Sequence, residues 1–173
     1  FSISLRWLTL LCFATAMGVT RTFDWVLAGI FIFSLLWNVL NSIATILNRR
    51  IHAHRLVNVL VDGLVSILLF IFAQGFPGPL ALSGILGIFS ASVYFNIIGS
   101  IAAAVGISLL QSIYTLFFSG ILVPFWLPGI FLAINLLIAA IVGILNRQIV
   151  IWLRQHYRNT MHKNGDETAA IPE

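Results

Sequence analysis

Long apolar runs separated by short polar breaks dominate the chain, and they predict helices rather than strands. The runs fall at about 3–19, 23–47, 56–73, 80–95, 101–118 and 129–149, each near the 20 or so residues that a membrane crossing needs. Two breaks are unambiguous. Gln74-Gly75-Phe76-Pro77-Gly78-Pro79 stops the third run, because proline cannot continue a helix. Thr20 to Asp24 is a tight polar turn, with Thr22 the expected N-cap of the second helix. The stretch 80–118 has no proline and no charge, and as one helix it would be about 60 Å long, twice the hydrocarbon thickness. It is therefore expected to break, at Asn96 to Ser100 around Gly99.

Charge agrees with this pattern and adds a direction. Only 8% of the 173 residues are charged while 60% are hydrophobic, and the mean hydropathy is +1.06, too apolar to cover a water-facing surface. No Asp, Glu, Lys or Arg occurs between Asp62 and Arg147. Arg49, Arg50 and Arg55 cluster between the second and third runs; Arg147, Arg154, Arg158 and Lys163 cluster at and beyond the last. Clusters of this kind mark the cytoplasmic side. If both lie inside, an even number of crossings separates them, and four fit the apolar length. The expected fold class is thus an all-α integral membrane protein, a bundle of six transmembrane helices with both termini cytoplasmic. One domain covers 1–153, and 154–173 forms a polar, frayed cytoplasmic tail. Trp7, Trp152 and Tyr157 fall at the inner interface and Trp25 and Trp126 at the outer one. A multi-pass location in the plasma membrane is expected. The first run carries Arg6 near its start and Ala14-Thr15-Ala16 near its end, as a signal peptide would, but its presence in the chain assigns it as a span. The chain opens on Phe1 instead of Met, so residues ahead of it are expected to have been removed or left out.

The polar residues inside the runs are the candidates for function. Asp62 is the one acid well inside an apolar run, and an intramembrane carboxylate normally faces the bundle or a wet cavity with a partner. Asn58, Asp62 and Ser66 recur every four residues, hence on one helix face. The second run carries a matching stripe of Ser34, Asn38, Asn41 and Thr45, with Asn41 expected at the depth of Asp62. Two uses compete. One is a polar site for a proton, cation or small solute; the other is a helix clamp of hydrogen bonds worth about 0.6–2 kcal/mol each in a membrane. A single acid makes a thin relay, so the clamp is favoured. Arg6 is the basic residue that could reach Asp62 from another span, although its side chain would naturally snorkel toward the cytoplasm.

Small residues form a second pattern. Gly84 and Gly87, then Gly99, Ala103 and Gly106, are spaced for close backbone approach and are read as helix-packing surface, within the bundle or in a homo-oligomer. Ser108, Gln111, Ser112 and Thr115 make a milder polar stripe, read chiefly as interhelical hydrogen bonding. The lone Cys12 is read as a buried, inert thiol, and it excludes an internal disulfide. His52 and His54, two apart with no carboxylate beside them, make a poor metal site, so no metal and no cofactor is expected. Neither a nucleophile elbow nor a zinc-protease or phosphate-cradling motif occurs, and no enzyme is expected. The net charge of +4 lies beside apolar runs, which points to membrane lipids as partners and away from nucleic acid.

The first half, about residues 4–73, resembles the MARVEL and Casparian-strip membrane-domain type of small four-span protein. The resemblance rests on Leu5-Arg6-Trp7-Leu8, Phe23-Asp24-Trp25-Val26 and His54-Arg55-Leu56-Val57 followed by Asp62. Arg6 and Asp62 stand where those families carry an arginine and an aspartate. Beyond Pro79 the pattern departs, with three further spans expected instead of one and no extracellular cysteines. The resemblance implies a non-enzymatic scaffold that organises membrane patches or other membrane subunits. The alternative is a small transporter, or the substrate-binding membrane subunit of one, with its site around Asp62.

Overall fold

The computed structural model describes the backbone of residues 2–20, 24–46, 54–118, 120 and 123–169, and the side chains of 7–20, 24–44, 55–118, 120 and 123–157. Among these there are five helices and no strand: α1 (Ser2–Thr20), α2 (Trp25–Ile46), α3 (His54–Phe72), α4 (Ile85–Phe117) and α5 (Leu127–Ala169). Four stretches are long and apolar enough to cross a membrane: Trp25–Ala44, Arg55–Phe72, Ile85–Phe117 and Leu127–Tyr157. Polarity is distributed inside out. Asn38, Asn58, Asp62, Ser66 and Asn135 are buried, whereas Leu36, Leu40, Leu60, Leu64 and Leu137 are exposed. Such an exterior suits lipid, which cannot satisfy a polar group.

The expected break in the fourth apolar stretch falls at Asn96. There the backbone takes φ 60° and ψ −154°, and the helix reverses. The reversal is evident from packing: a Cβ built on Gly87 would lie 2.6 Å from Ile107 Cδ1, although a straight helix would hold these residues about 30 Å apart. The two arms of α4, 85–95 and 97–117, therefore pack antiparallel. Asparagine accepts a positive φ more readily than most residues, because its short polar side chain can bond locally. The first arm has 11 helical residues (85 to 95), since 74–84 is not the helix start expected from position 80. It is a chain of tight turns, with Ser83 N–H donating to Leu80 O and Leu86 N–H to Ser83 O. Phe76, Leu80, Ala81 and Ser83 of this segment are buried, and irregular backbone at such a position is tolerated only when protein surrounds it. Gly78 is obligatory here, because any Cβ would collide with the Ala73 carbonyl.

Two other expectations change at helix ends. Asp24, not Thr22, opens α2: its carbonyl accepts from Ala28 N–H at 2.9 Å, while Thr22 lies outside the described residues. α5 continues to Ala169 through the stretch read as a frayed tail, since neither glycine nor proline stands between Gly143 and Gly165 to stop it. Cys12 is exposed rather than buried. Leu10, Phe13 and Met17 form the inward stripe of α1, and position 12 lies off it.

Hydrogen bonds fix the register of the bundle. Asn58 Nδ2 donates to Tyr94 Oη at 2.9 Å, and Asn146 Nδ2 donates to the Ser92 carbonyl at 2.9 Å. The start of α3, the Asn96 bend and Arg147 on α5 consequently share one end of the bundle. At the other end the rings of Phe70, Phe76, Tyr114 and Phe131 gather, with centroid separations of 4.6 to 6.2 Å. Between them lie two apolar clusters, one around Met17, Leu27, Leu69 and Leu86 and one around Ile88, Ala104, Ile107 and Ala139.

Candidate functional site

The polar faces of α2 and α3 meet. Asp62 faces Ser34, Trp37 and Asn38 across a cavity that Leu10 and Leu86 complete. Asn38 lines this cavity with Asp62. Residues 47–53, which join α2 to α3, lie outside the described residues. Asn41 is also buried, one turn nearer the basic end. The side chains of Thr45 and Arg6 lie outside the described residues.

Ser66 belongs to the Asp62 stripe by spacing but works on a different neighbour. Its hydroxyl donates to the Asp62 carbonyl at 2.7 Å and accepts from the Gly87 N–H at 3.1 Å. Ser83 Oγ in turn donates to the Ser66 carbonyl at 2.7 Å. A side chain of α3 thereby satisfies one of the amides that the first turn of α4 leaves without an intrahelical partner. Asn58 reaches the other end of the same arm through Tyr94. Of the three residues on the α3 stripe, Asp62 faces α2, while Asn58 and Ser66 hold the first arm of α4.

The small residues separate in the same way. Gly84 and Gly87 are buried against Ile107 of the second arm, as packing surface requires. Ala103 packs against the Ile88–Ile107 cluster. Gly99 sits just past the bend, where a Cβ would meet Phe95 and approach the Ala91 carbonyl to 2.9 Å. Gly106 packs on nothing: it is exposed, with no atom within 4 Å of the Cβ position, because the α4 hairpin turns its other face inward. Together with Gly63 it floors an open apolar groove of about 330 Å³ between α3 and the second arm.

A second polar cluster joins Ser108 and Gln111 of the milder stripe to Asn135 of α5, which the sequence reading missed. Asn135 of α5 donates to Ser108 Oγ at 2.8 Å, and Ser100 Oγ donates to the Ala139 carbonyl at 3.0 Å. Both Asn135 and Gln111 approach the Cβ position of Gly84, at 3.5 and 3.7 Å. Among the described residues neither end of the buried Gln111 amide has a partner. The signal was present, since Asn135, Ala139, Gly143 and Asn146 recur at spacings of four, four and three on one face of an otherwise apolar helix.

The space beside Asp62 sets what this arrangement can do. Its volume is about 10 Å³, enough for one water and too little for an organic solute. The larger hollows, about 490 Å³ between α1 and α2 and the groove over Gly106, are open and almost wholly apolar. No group of three or more His, Cys, Asp or Glu able to hold a metal occurs among the described residues. His52 and the side chain of His54 lie outside them. No family model, curated protein or solved structure matches this chain.

Proposed function

We propose that the chain is a non-enzymatic multispan membrane protein, a scaffold or accessory subunit that acts through helix–helix packing. One observation carries the reading: the cavity beside Asp62 is the size of a single water. Asn58 and Ser66 of the α3 stripe are spent on the first arm of α4, as in a clamp, and the cavity leaves no room for cargo. The resemblance of the first half to MARVEL-type scaffolds favours the same reading, with Asp62 buried at the position where those families carry an aspartate.

In this reading the chain crosses the membrane six times, with α1, α2, α3, the two arms of α4 and α5 as spans. The common end that carries Arg55 and Arg147 faces the cytoplasm of the plasma membrane, with both termini on that side. Support comes from the register, which brings those arginines to one end, and from exposed Trp25 and Trp126 toward the opposite one. Lipids cover the exposed leucine faces, and partners are other membrane subunits or further copies of the chain.

A second reading is a small transporter, or the substrate-binding membrane subunit of one, with its site around Asp62. It draws on the buried Asn38 amide, whose two ends have no partner among the described residues. Native mass spectrometry of the protein released from lipid nanodiscs separates the two. The scaffold reading expects a retained second copy or partner chain. A retained small polar molecule that Asp62→Asn abolishes would replace it with the transporter.

A further inference from the structure

We propose that the cavity between α2 and α3 is the binding site of one internal water, which joins Asn38 to Asp62. The proposal deepens the clamp described above and rests on that reading of the polar stripes.

The walls of the cavity are Ser34, Trp37, Asn38 and Asp62, together with Leu10 and Leu86. Asn38 is 3% exposed, and neither its Nδ2 nor its Oδ1 has a partner among the described residues. Trp37 Nε1 is buried and equally unmatched. Three unmet groups around one void are unusual, since buried polar groups nearly always find a protein atom or an ordered water. The void's volume of about 10 Å³ is one water's worth, and a buried water needs two to four polar partners.

The chemistry of the wall selects water over an ion. Trp37 Nε1–H and Asn38 Nδ2–H₂ are donors and need an acceptor, which a cation cannot be. An anion would meet the Asp62 carboxyl and the Asn38 carbonyl. Water alone among small species satisfies both kinds: it accepts from the indole or the amide, and donates to Asn38 Oδ1 and to a carboxyl oxygen of Asp62. Among the described residues the α2 backbone approaches α1 and α3 closely and meets α4 through side chains such as Leu86. A bridge at this point would be a principal polar tie between α2 and α3, made through an exchangeable molecule.

Solid-state NMR of the full chain in lipid bilayers tests this, with ¹⁵N-labelled asparagine side chains and tryptophan indoles. Magnetisation transferred from water should appear on the Asn38 carboxamide and the Trp37 indole, and Asn38→Leu, which fills the void, should abolish the Trp37 signal. Trp37→Phe assigns that indole and should leave the Asn38 signal in place. Two results overturn the proposal. One is no transfer at either group while the exposed indoles of Trp25 and Trp126 receive it. The other is a shift of the Asn38 carboxamide on replacing choline with sodium, which would make the site a cation's. A dry cavity would leave the scaffold reading standing, whereas solute transport blocked by Asp62→Asn would remove the scaffold and leave the water.

Discussion

The Ser66 hydroxyl caps the first arm of α4 by accepting from the Gly87 amide at 3.1 Å, across from one helix to another. The same oxygen donates back to Asp62 O, so one small side chain joins α3's own backbone to the start of its neighbour. Removing it takes the acceptor away from a buried N–H. Ser66→Ala should lower unfolding stability in detergent by about 1–2 kcal/mol, as losing a cap or a buried partner does elsewhere. A thermal or denaturant titration that matches wild type would show that the amide finds another acceptor.

Glycines at similar spacing should respond oppositely to the same substitution. At Gly87 a Cβ would come within 2.6 Å of Ile107 Cδ1 and 3.2 Å of Gly63 Cα, so Gly87→Ala forces the arms apart or Ile107 aside. Overpacking of this kind costs about 1–3 kcal/mol. Ile107→Val should recover part of the loss, because the colliding atom is the removable methyl. Gly106→Ala meets nothing and should be neutral or slightly stabilising. Unfolding measurements on these variants check the contrast, and equal losses at both glycines would refute it.

The α4 hairpin has a direct covalent test. A Cβ on Gly84 would lie 3.1 Å from Ile107 Cγ2, although 23 residues of straight helix would separate them by about 35 Å. With Cys12 replaced by serine, the pair Gly84→Cys and Ile107→Cys should form an intrachain disulfide under mild oxidation. A protease cut near Asn96 followed by non-reducing electrophoresis reads the result. Fragments that separate without reductant would mean that α4 runs straight.

How legible this was in the sequence differs from element to element. The helices and the bend at Asn96 followed from apolar run lengths, since about 39 consecutive residues without charge cannot cross a bilayer once. Where the first arm starts did not follow. Residues 80–84 read as span on hydropathy alone, yet they make tight turns because Ser83 bonds to α3 instead of continuing a helix. The burial of Asn58, Asp62 and Ser66 was visible in their spacing, but their partners were not. Spacing gives a face and not the neighbour that covers it, so Ser66's service to Gly87 and Asn58's to Tyr94 needed the fold.

Asp62 itself distinguishes a clamp from an ornament. Asp62→Asn keeps a polar group of nearly the same shape against Ser34 and Asn38 and should cost little stability. Asp62→Leu replaces it with an apolar branch against the Asn38 amide, and should lose about 1–3 kcal/mol through buried polar groups left unmet. Unfolding in detergent measures both. If both variants match wild type in stability and in retained partners, Asp62 is neither clamp nor site.

Sidedness is the last expectation open to measurement, and it follows from register. Arg55 and Arg147 share an end of the bundle because Asn58 bonds to Tyr94 and Asn146 to Ser92, on either side of one short stretch before the bend. Basic residues next to spans stay on the cytoplasmic side. Single cysteines introduced at exposed positions in a Cys12→Ser background should therefore divide into two sets. Arg55→Cys and Tyr157→Cys should react with a membrane-impermeant maleimide only after the cells are opened. Phe125→Cys, beside Trp126 at the far end, should react in intact cells. Labelling of positions 55 and 157 from opposite sides would require an odd number of crossings between them, and the six-span arrangement would then be wrong.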